Sequence, residues 1–174
     1  MLKARVAASP RCAVGFSLRR YSPILTMMPE LSSVDRTASY GELREQSRAL
    51  FADEGDALAN AANRAALLFC GLPDLNWAGF YFLRGAELVL GAFQGNVACA
   101  RIAMGKRVCG TAAQRRETLM VPDVRAFPGH MACDAGSQSE IVIPLLQGER
   151  LLGVLDWEAG MQEYLRASEL STLP

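Results

Sequence analysis

Three cysteines, one histidine and three of seven acids in one stretch of this chain, from Gly91 to Glu158, could do chemistry together. The thiols are Cys99, Cys109 and Cys133; the histidine, His130, is the only one in the sequence; the acids are Glu140, Asp156 and Glu158. Cysteine attacks as its thiolate, so a reactive one needs positive charge or a helix N-terminus nearby. Cys109 runs into Gly110-Thr111-Ala112-Ala113, which reads as a helix start, where free backbone N–H groups favour an anion. Cys133 follows His130 by three residues in a long Pro-, Gly- and Asp-containing segment, and Cys99 sits between Gly95 and Arg101. Thiols on short or loop elements of one domain can meet, and two can close a disulfide if their Cα atoms come within about 7 Å. Two alternatives stay open on these residues: three buried cysteines without a role, or a zinc site of Cys99, Cys109, Cys133 and His130. The zinc reading lacks the close C-x₂₋₄-C pairs of structural sites.

The acids are either solvated strand ends or groups placed for proton chemistry. Asp156 and Glu158 are two residues apart at the end of an apolar run, so a strand there puts both on one face. Glu140 opens another apolar run, Ile141-Val142-Ile143. A carboxyl at the edge of an apolar sheet loses solvation, and its pKa rises toward a range useful for proton donation. Trp77 and Tyr81, four apart on a strand-like run, share a face, either as plain core aromatics or as one wall of a small pocket.

The elements that must position these groups follow from periodicity. Residues 39–51 read as a helix with capping-box spacing at Ser39 and Glu42 and an apolar stripe of Leu43, Leu50 and Phe51. Asp53-Glu54-Gly55-Asp56 breaks it. A second helix from Ala57 presents Leu58, Ala61, Ala62, Ala65, Leu68 and Phe69, with Cys70 expected as an inert core thiol. The period then changes to strands: 77–83 and 87–93 around a turn at Gly85, a short extended piece at 97–102, another at 118–121, and a closing hairpin of 140–146 and 150–157. Two helices followed by a meander with one inserted helix is an α+β plan.

Composition limits the partners. The chain has 174 residues and is 51% hydrophobic, enough for one domain with a sizeable core. Its zero formal charge hides an asymmetry. Residues 1–29 carry five bases (Lys3, Arg5, Arg11, Arg19, Arg20) and no acid, which leaves 13 bases against 18 acids, a net −5, in the remainder. That acidic body offers no footprint for nucleic acid, and no apolar run reaches the roughly 20 residues of a membrane span. Five cysteines without a CxxC pair fit a reducing compartment better than a secreted disulfide scaffold. Residues 1–36 read as a basic extension with transit-peptide composition, containing Cys12. The expected location is therefore mitochondrial or another organelle if that leader is real, and cytoplasmic otherwise.

The motifs NWAGFY, LVLGAFQGNVACARIAMGKRVCGTAA, VPDVRAFPGHMACDAGSQSEIVIPL and GVLDWE, taken in order over residues 38–160, resemble the free methionine-(R)-sulfoxide reductases, which are single GAF-domain enzymes. The resemblance implies a GAF-like α+β domain over residues 37–174, with a central antiparallel sheet, the N-terminal helices on one face and pocket-forming loops on the other. It implies reduction of free methionine-R-sulfoxide, with electrons from thioredoxin or a similar dithiol donor and no metal or organic cofactor. By position, Cys133 matches the catalytic cysteine, Cys99 the main resolving thiol that would close a Cys99–Cys133 disulfide, and Cys109 a third thiol offering a second route of exchange. Glu140, Asp156 and Glu158 match the pocket carboxylates; Trp77 and Tyr81 match the aromatic wall around the substrate methyl. Glu158 stands where the family usually carries aspartate, and Trp157 where it carries a smaller aliphatic residue. Only 16 residues follow Glu158, so Met161–Leu170 would supply about three turns of the long helix with which family members end, weakening a homodimer built on it. The alternative from another class is a GAF module that binds a small ligand without turnover, or a thiol redox sensor.

Overall fold

The computed structural model describes residues 36–72, 74–128 and 136–160. The basic extension with Cys12, His130 and Cys133, and the segment Met161–Leu170 lie outside the described residues. Two helices, α1 (Arg36–Phe51) and α2 (Ala57–Gly71), precede the strands β1 (Leu75–Arg84), β2 (Glu87–Gly95) and β3 (Arg101–Ala103). Helix α3 (Arg107–Arg115) then leads to β4 (Leu119–Val121), a single 3₁₀ turn (Val124–Ala126), and the hairpin β5 (Ser139–Gln147) and β6 (Arg150–Ala159).

The strands form one antiparallel sheet in the order β3-β2-β1-β6-β5-β4. Both hairpins turn where the sequence places glycine. Gly85 (φ 64°) lies between paired Arg84 and Glu87, and Gly148 (φ 59°) between paired Gln147 and Arg150. These left-handed conformations cost glycine no Cβ clash.

Alternation along the strands divides the core in two. Ala78, Ile141 and Trp157 pack under Leu43 and Phe51 of α1, Leu67 of α2 and Leu72 just past its end. Ala61 and Ala65 of α2 meet Phe80, small side chains letting the helix approach the sheet closely. Trp157 is buried there, on the face away from the candidate site, and its indole N–H finds no acceptor among the described residues. On the opposite face Trp77, Tyr81, Val142 and Val154 pack with Val108, Cys109, Ala112 and Ala113 of α3. The i, i+1, i+4, i+5 spacing of those four α3 residues is one helical face. Gly110 lets α3 touch β3: a Cβ there would lie 2.3 Å from the Ala103 carbonyl oxygen.

Several local expectations are corrected. Helix α1 begins at Arg36, so Ser39 lies inside it rather than capping it; Arg36-Thr37-Ala38 contains no helix breaker. Leu50 and Leu58 are exposed, as is Ala62. The sheet-facing stripe of α2 is narrower than its apolar content and centres on Ala61, Ala65 and Leu68. The N-cap of α2 is Asp56, whose carboxylate accepts from the Ala59 N–H at 2.8 Å. Cys70 is not an inert core thiol: it is exposed and disulfide-bonded.

Candidate active site

The α3-side face of the sheet carries the candidate residues, and strand register puts them there. Trp77 of β1 pairs with Glu158 of β6, Gly79 with Asp156, and Tyr81 with Val154. Across β6, Glu158 pairs with Glu140 of β5 and Asp156 with Val142. Directly opposed residues of antiparallel strands share a face. Trp77, Tyr81, Glu140, Asp156 and Glu158 therefore project to one side, as their sequence spacing predicts.

The aromatic wall is a stack of three rings. Trp77 lies against Tyr81 with centroids 5.9 Å apart and against Phe93 of β2 at 5.6 Å. Gly79 makes this stacking feasible. A Cβ at that position would sit 2.4 Å from the Phe93 Cβ and 2.6 Å from the Trp77 ring. The Trp77 indole donates to the Asn96 carbonyl at 3.1 Å, fixing the ring's tilt.

Beside the wall lies a buried acid cluster. Glu140 and Asp156 are 7% and 3% exposed, and Cys109 of α3 is 2% exposed. The Cys109 thiol donates to Asp156 Oδ2 at 3.1 Å and lies 3.8 Å from Glu140 Oε1. One oxygen from each carboxylate and the Cys109 sulfur fall within 4.8 Å of one another, close enough to share a small cation or a pool of protons. Asp156 Oδ1 is buried with no hydrogen-bond partner among the described residues. Glu158 stands one step outward, half-buried, accepting from the Ser137 hydroxyl, which in turn accepts from the Asn76 amide at 2.8 Å.

Burial, and then mutual repulsion, sets the proton affinities. Burial lifts the Glu140 carboxyl to about 8; the Glu158 charge adds to that, while the Cys109 thiol and the Arg107 guanidinium oppose it. Asp156 is raised well above the ordinary carboxylate range by burial and then by Glu140 and Glu158. The Tyr81 phenol is pushed up by burial and by Asp156. Near neutral pH this cluster holds protons that isolated carboxylates would have released.

Proton retention makes stability depend on pH with a definite sign. Between the ordinary value of 4.5 and about 8, folded Glu140 keeps a proton that the unfolded chain has lost. The unfolded state then binds fewer protons, so stability falls as pH rises through that window. Asp156 contributes in the same direction. The melting temperature is expected to drop from pH 5 to pH 8, with about 2–4 °C for each kcal/mol lost. Glu140→Gln should flatten that drop. Thermal melts of both proteins across the window check this; equal slopes would remove Glu140 as the cause.

The cysteines part company. Cys109 lies in the first turn of α3, as expected, but is no thiolate there: burial followed by the charge of Asp156 raises its thiol well above the ordinary value. The apolar contacts of α3 and two facing carboxylates outweigh the helix dipole. Cys99 is half-buried and disulfide-bonded, and Arg107 donates to its sulfur at 2.7 Å. Among the described residues, the Cys99 sulfur is already bonded and Cys109 faces Glu140 and Asp156; Cys133 and His130, the other two members of the zinc reading, lie outside them. Phe93, Ser137, Asn76 and Arg107 escape the sequence reading. Arg107 alone carried a usable signal, a base two residues before a candidate thiol.

A family model described as GAF domain matches residues 7–171. The chain is 50% identical over 123 residues to the free methionine-R-sulfoxide reductase of Escherichia coli, covering 71% of this chain and 74% of that protein. The chain belongs to the GAF-domain free methionine-R-sulfoxide reductase family. Solved members superpose on it. The free methionine-R-sulfoxide reductase from Neisseria meningitidis, crystallised with its substrate, aligns with a TM-score of 0.78 at 39% identity over 83% of this chain and 87% of that one. The reduced form of fRMsr from Staphylococcus aureus aligns at 0.74 with 44% identity over 76% and 86%. The six-stranded sheet with flanking helices is thus the fold expected from the sequence.

Proposed function

We propose that this chain reduces free L-methionine-(R)-sulfoxide to L-methionine through a cysteine thiolate, and is recycled by thioredoxin or a similar dithiol donor. The observation that carries the reading is the buried cluster of Cys109, Glu140 and Asp156 beside the Trp77–Tyr81–Phe93 wall, in a chain whose relatives carry that activity by name. A sulfoxide oxygen departs only when protonated. Glu140, holding its proton to about pH 8, and Asp156 supply such a proton in a site where water competes poorly. The aromatic wall suits the methyl and methylene groups of the substrate. Glu158, the most exposed of the three acids, suits its ammonium, with Ser137 and Asn76 holding the carboxylate in place.

In the proposed cycle the Cys133 thiolate attacks the sulfoxide sulfur, the oxygen passes to Cys133 as a sulfenic acid, and methionine leaves. The Cys99 thiol then displaces the hydroxyl, giving a Cys99–Cys133 disulfide and water. A donor dithiol returns two electrons and two protons. The raised thiol of Cys109 and its bond to Asp156 support a role in holding the acid cluster more than a role as nucleophile.

The reading is tested by steady-state release of methionine from the purified chain with dithiothreitol, given the R or the S sulfoxide. Turnover of R and not S is expected. A folded protein that turns over neither would belong with the ligand-binding or redox-sensing GAF modules.

A further inference from the structure

We propose that Arg107 is a positioning residue for thiol exchange, its guanidinium holding Cys99 as the sulfur that departs as thiolate when a reducing thiol opens the disulfide. The proposal rests on reading Cys99 as the resolving thiol. Arg107 occupies the first position of α3 with φ 57°, a left-handed conformation rare outside glycine and asparagine. Helix geometry alone would not place an arginine there; the packing of α3 through Gly110 and Val108 holds it. The result is an NH1 group 2.7 Å from the Cys99 sulfur.

Among the described residues, Arg107 is the base that donates to Cys99. Arg101, only two residues from Cys99 in sequence, pairs instead with Glu87 across β2 and β3 at 3.2 Å. Glu140 on β5, deeper in the site, also feels Arg107. A guanidinium is charged at every working pH and less hydrated than an ammonium, so it favours a thiolate beside it over a thiol.

Exchange rates depend on the leaving sulfur, and the sulfur of lower pKa leaves faster. The step balances as follows. A donor thiolate attacks the sulfur bonded to Cys99; the S–S pair passes to Cys99, which leaves as thiolate beside Arg107; the attacked sulfur forms a mixed disulfide with the donor. A second donor thiolate then displaces it, leaving oxidised donor and two reduced cysteines. Arg107 thereby directs the donor to the partner sulfur and keeps Cys99 from being captured.

The test uses the full chain, parent against Arg107→Asn and Arg107→Lys. Asparagine accepts the left-handed backbone, so the first change removes charge while leaving the turn feasible. Peptide-resolved alkylation of the reduced proteins with iodoacetamide gives the pH midpoint of Cys99. The parent should lie below the ordinary value of about 8.5. Arg107→Asn should move the midpoint up by about one unit, roughly tenfold slower labelling at pH 7, and Arg107→Lys should restore most of it. Glutathione, as a single-thiol reductant, should be trapped on the partner sulfur in the parent and on both sulfurs in Arg107→Asn. An unchanged Cys99 midpoint, or glutathione mainly on Cys99 of the parent, would overturn the proposal. If Arg107→Asn does not fold, Arg107→Gln carries the same reading. The labelling needs no methionine sulfoxide, so it separates failure here from failure of the reductase reading.

Discussion

Cys133→Ser is expected to reduce methionine release to the uncatalysed background, a loss of at least about 10³-fold, while the protein melts as the parent does. Serine is a far weaker nucleophile toward sulfur and does not form a stable sulfenic analogue, so no step of the cycle survives. Cys99→Ser should behave differently. The first equivalent of methionine should still appear, because Cys133 is intact, but recycling should stall. Cys109 should not rescue it: that thiol is buried, hydrogen-bonded to Asp156, and raised well above the ordinary range. A rapid-quench assay without reductant reads the first equivalent, and the same assay with added dithiothreitol reads the recycling. A Cys133→Ser protein that still turns over would reassign the nucleophile.

Asp156→Asn is the second large effect. Asp156 is buried, one oxygen engaged by Cys109 and the other without a partner among the described residues. A buried polar atom left unpaired is costly unless something fills the gap; in the proposed reading that is the substrate. The amide keeps the shape but has no acidic proton to give. General acid catalysis is typically worth about 10²–10⁴-fold, and kcat/KM should fall by that amount. Stability should not fall with it, since a carboxyl whose folded pKa is raised penalises folding at pH 8. Activity within threefold of the parent would show that another group protonates the sulfoxide. A fall in both activity and melting temperature would mark Asp156 as a packing residue.

Much of this was legible in the sequence, for identifiable reasons. The two-residue period of β6 placed Asp156 and Glu158 on one face, and the four-residue separation of Trp77 and Tyr81 did the same on β1. The glycine turns at Gly85 and Gly148 fixed both hairpins. What local pattern could not carry was depth and third-dimensional neighbourhood. Cys109 looked like a thiolate because a helix began near it; that α3 turns it onto Glu140 and Asp156 depends on Gly110 touching β3. Arg107 reaches Cys99 through a left-handed backbone that no propensity predicts. Ser137 and Asn76 meet across 61 residues of sequence to brace Glu158. Cys70 sat in an apolar helical run yet lies exposed and bonded, because the stripe facing the sheet is narrower than the run. The expected departure at Trp157 also resolves: its ring fills the helix-side core, on the opposite face from the acids.

A single-turnover experiment tests the central claim most directly. The fully reduced chain is mixed with free methionine-R-sulfoxide in the absence of any reductant, and methionine and free thiols are counted together. The account predicts one methionine per chain, the loss of two thiols, and a new bond between Cys99 and Cys133 by peptide mapping, with the S sulfoxide inert. Methionine formed without thiol loss, or thiols oxidised without methionine, would contradict it.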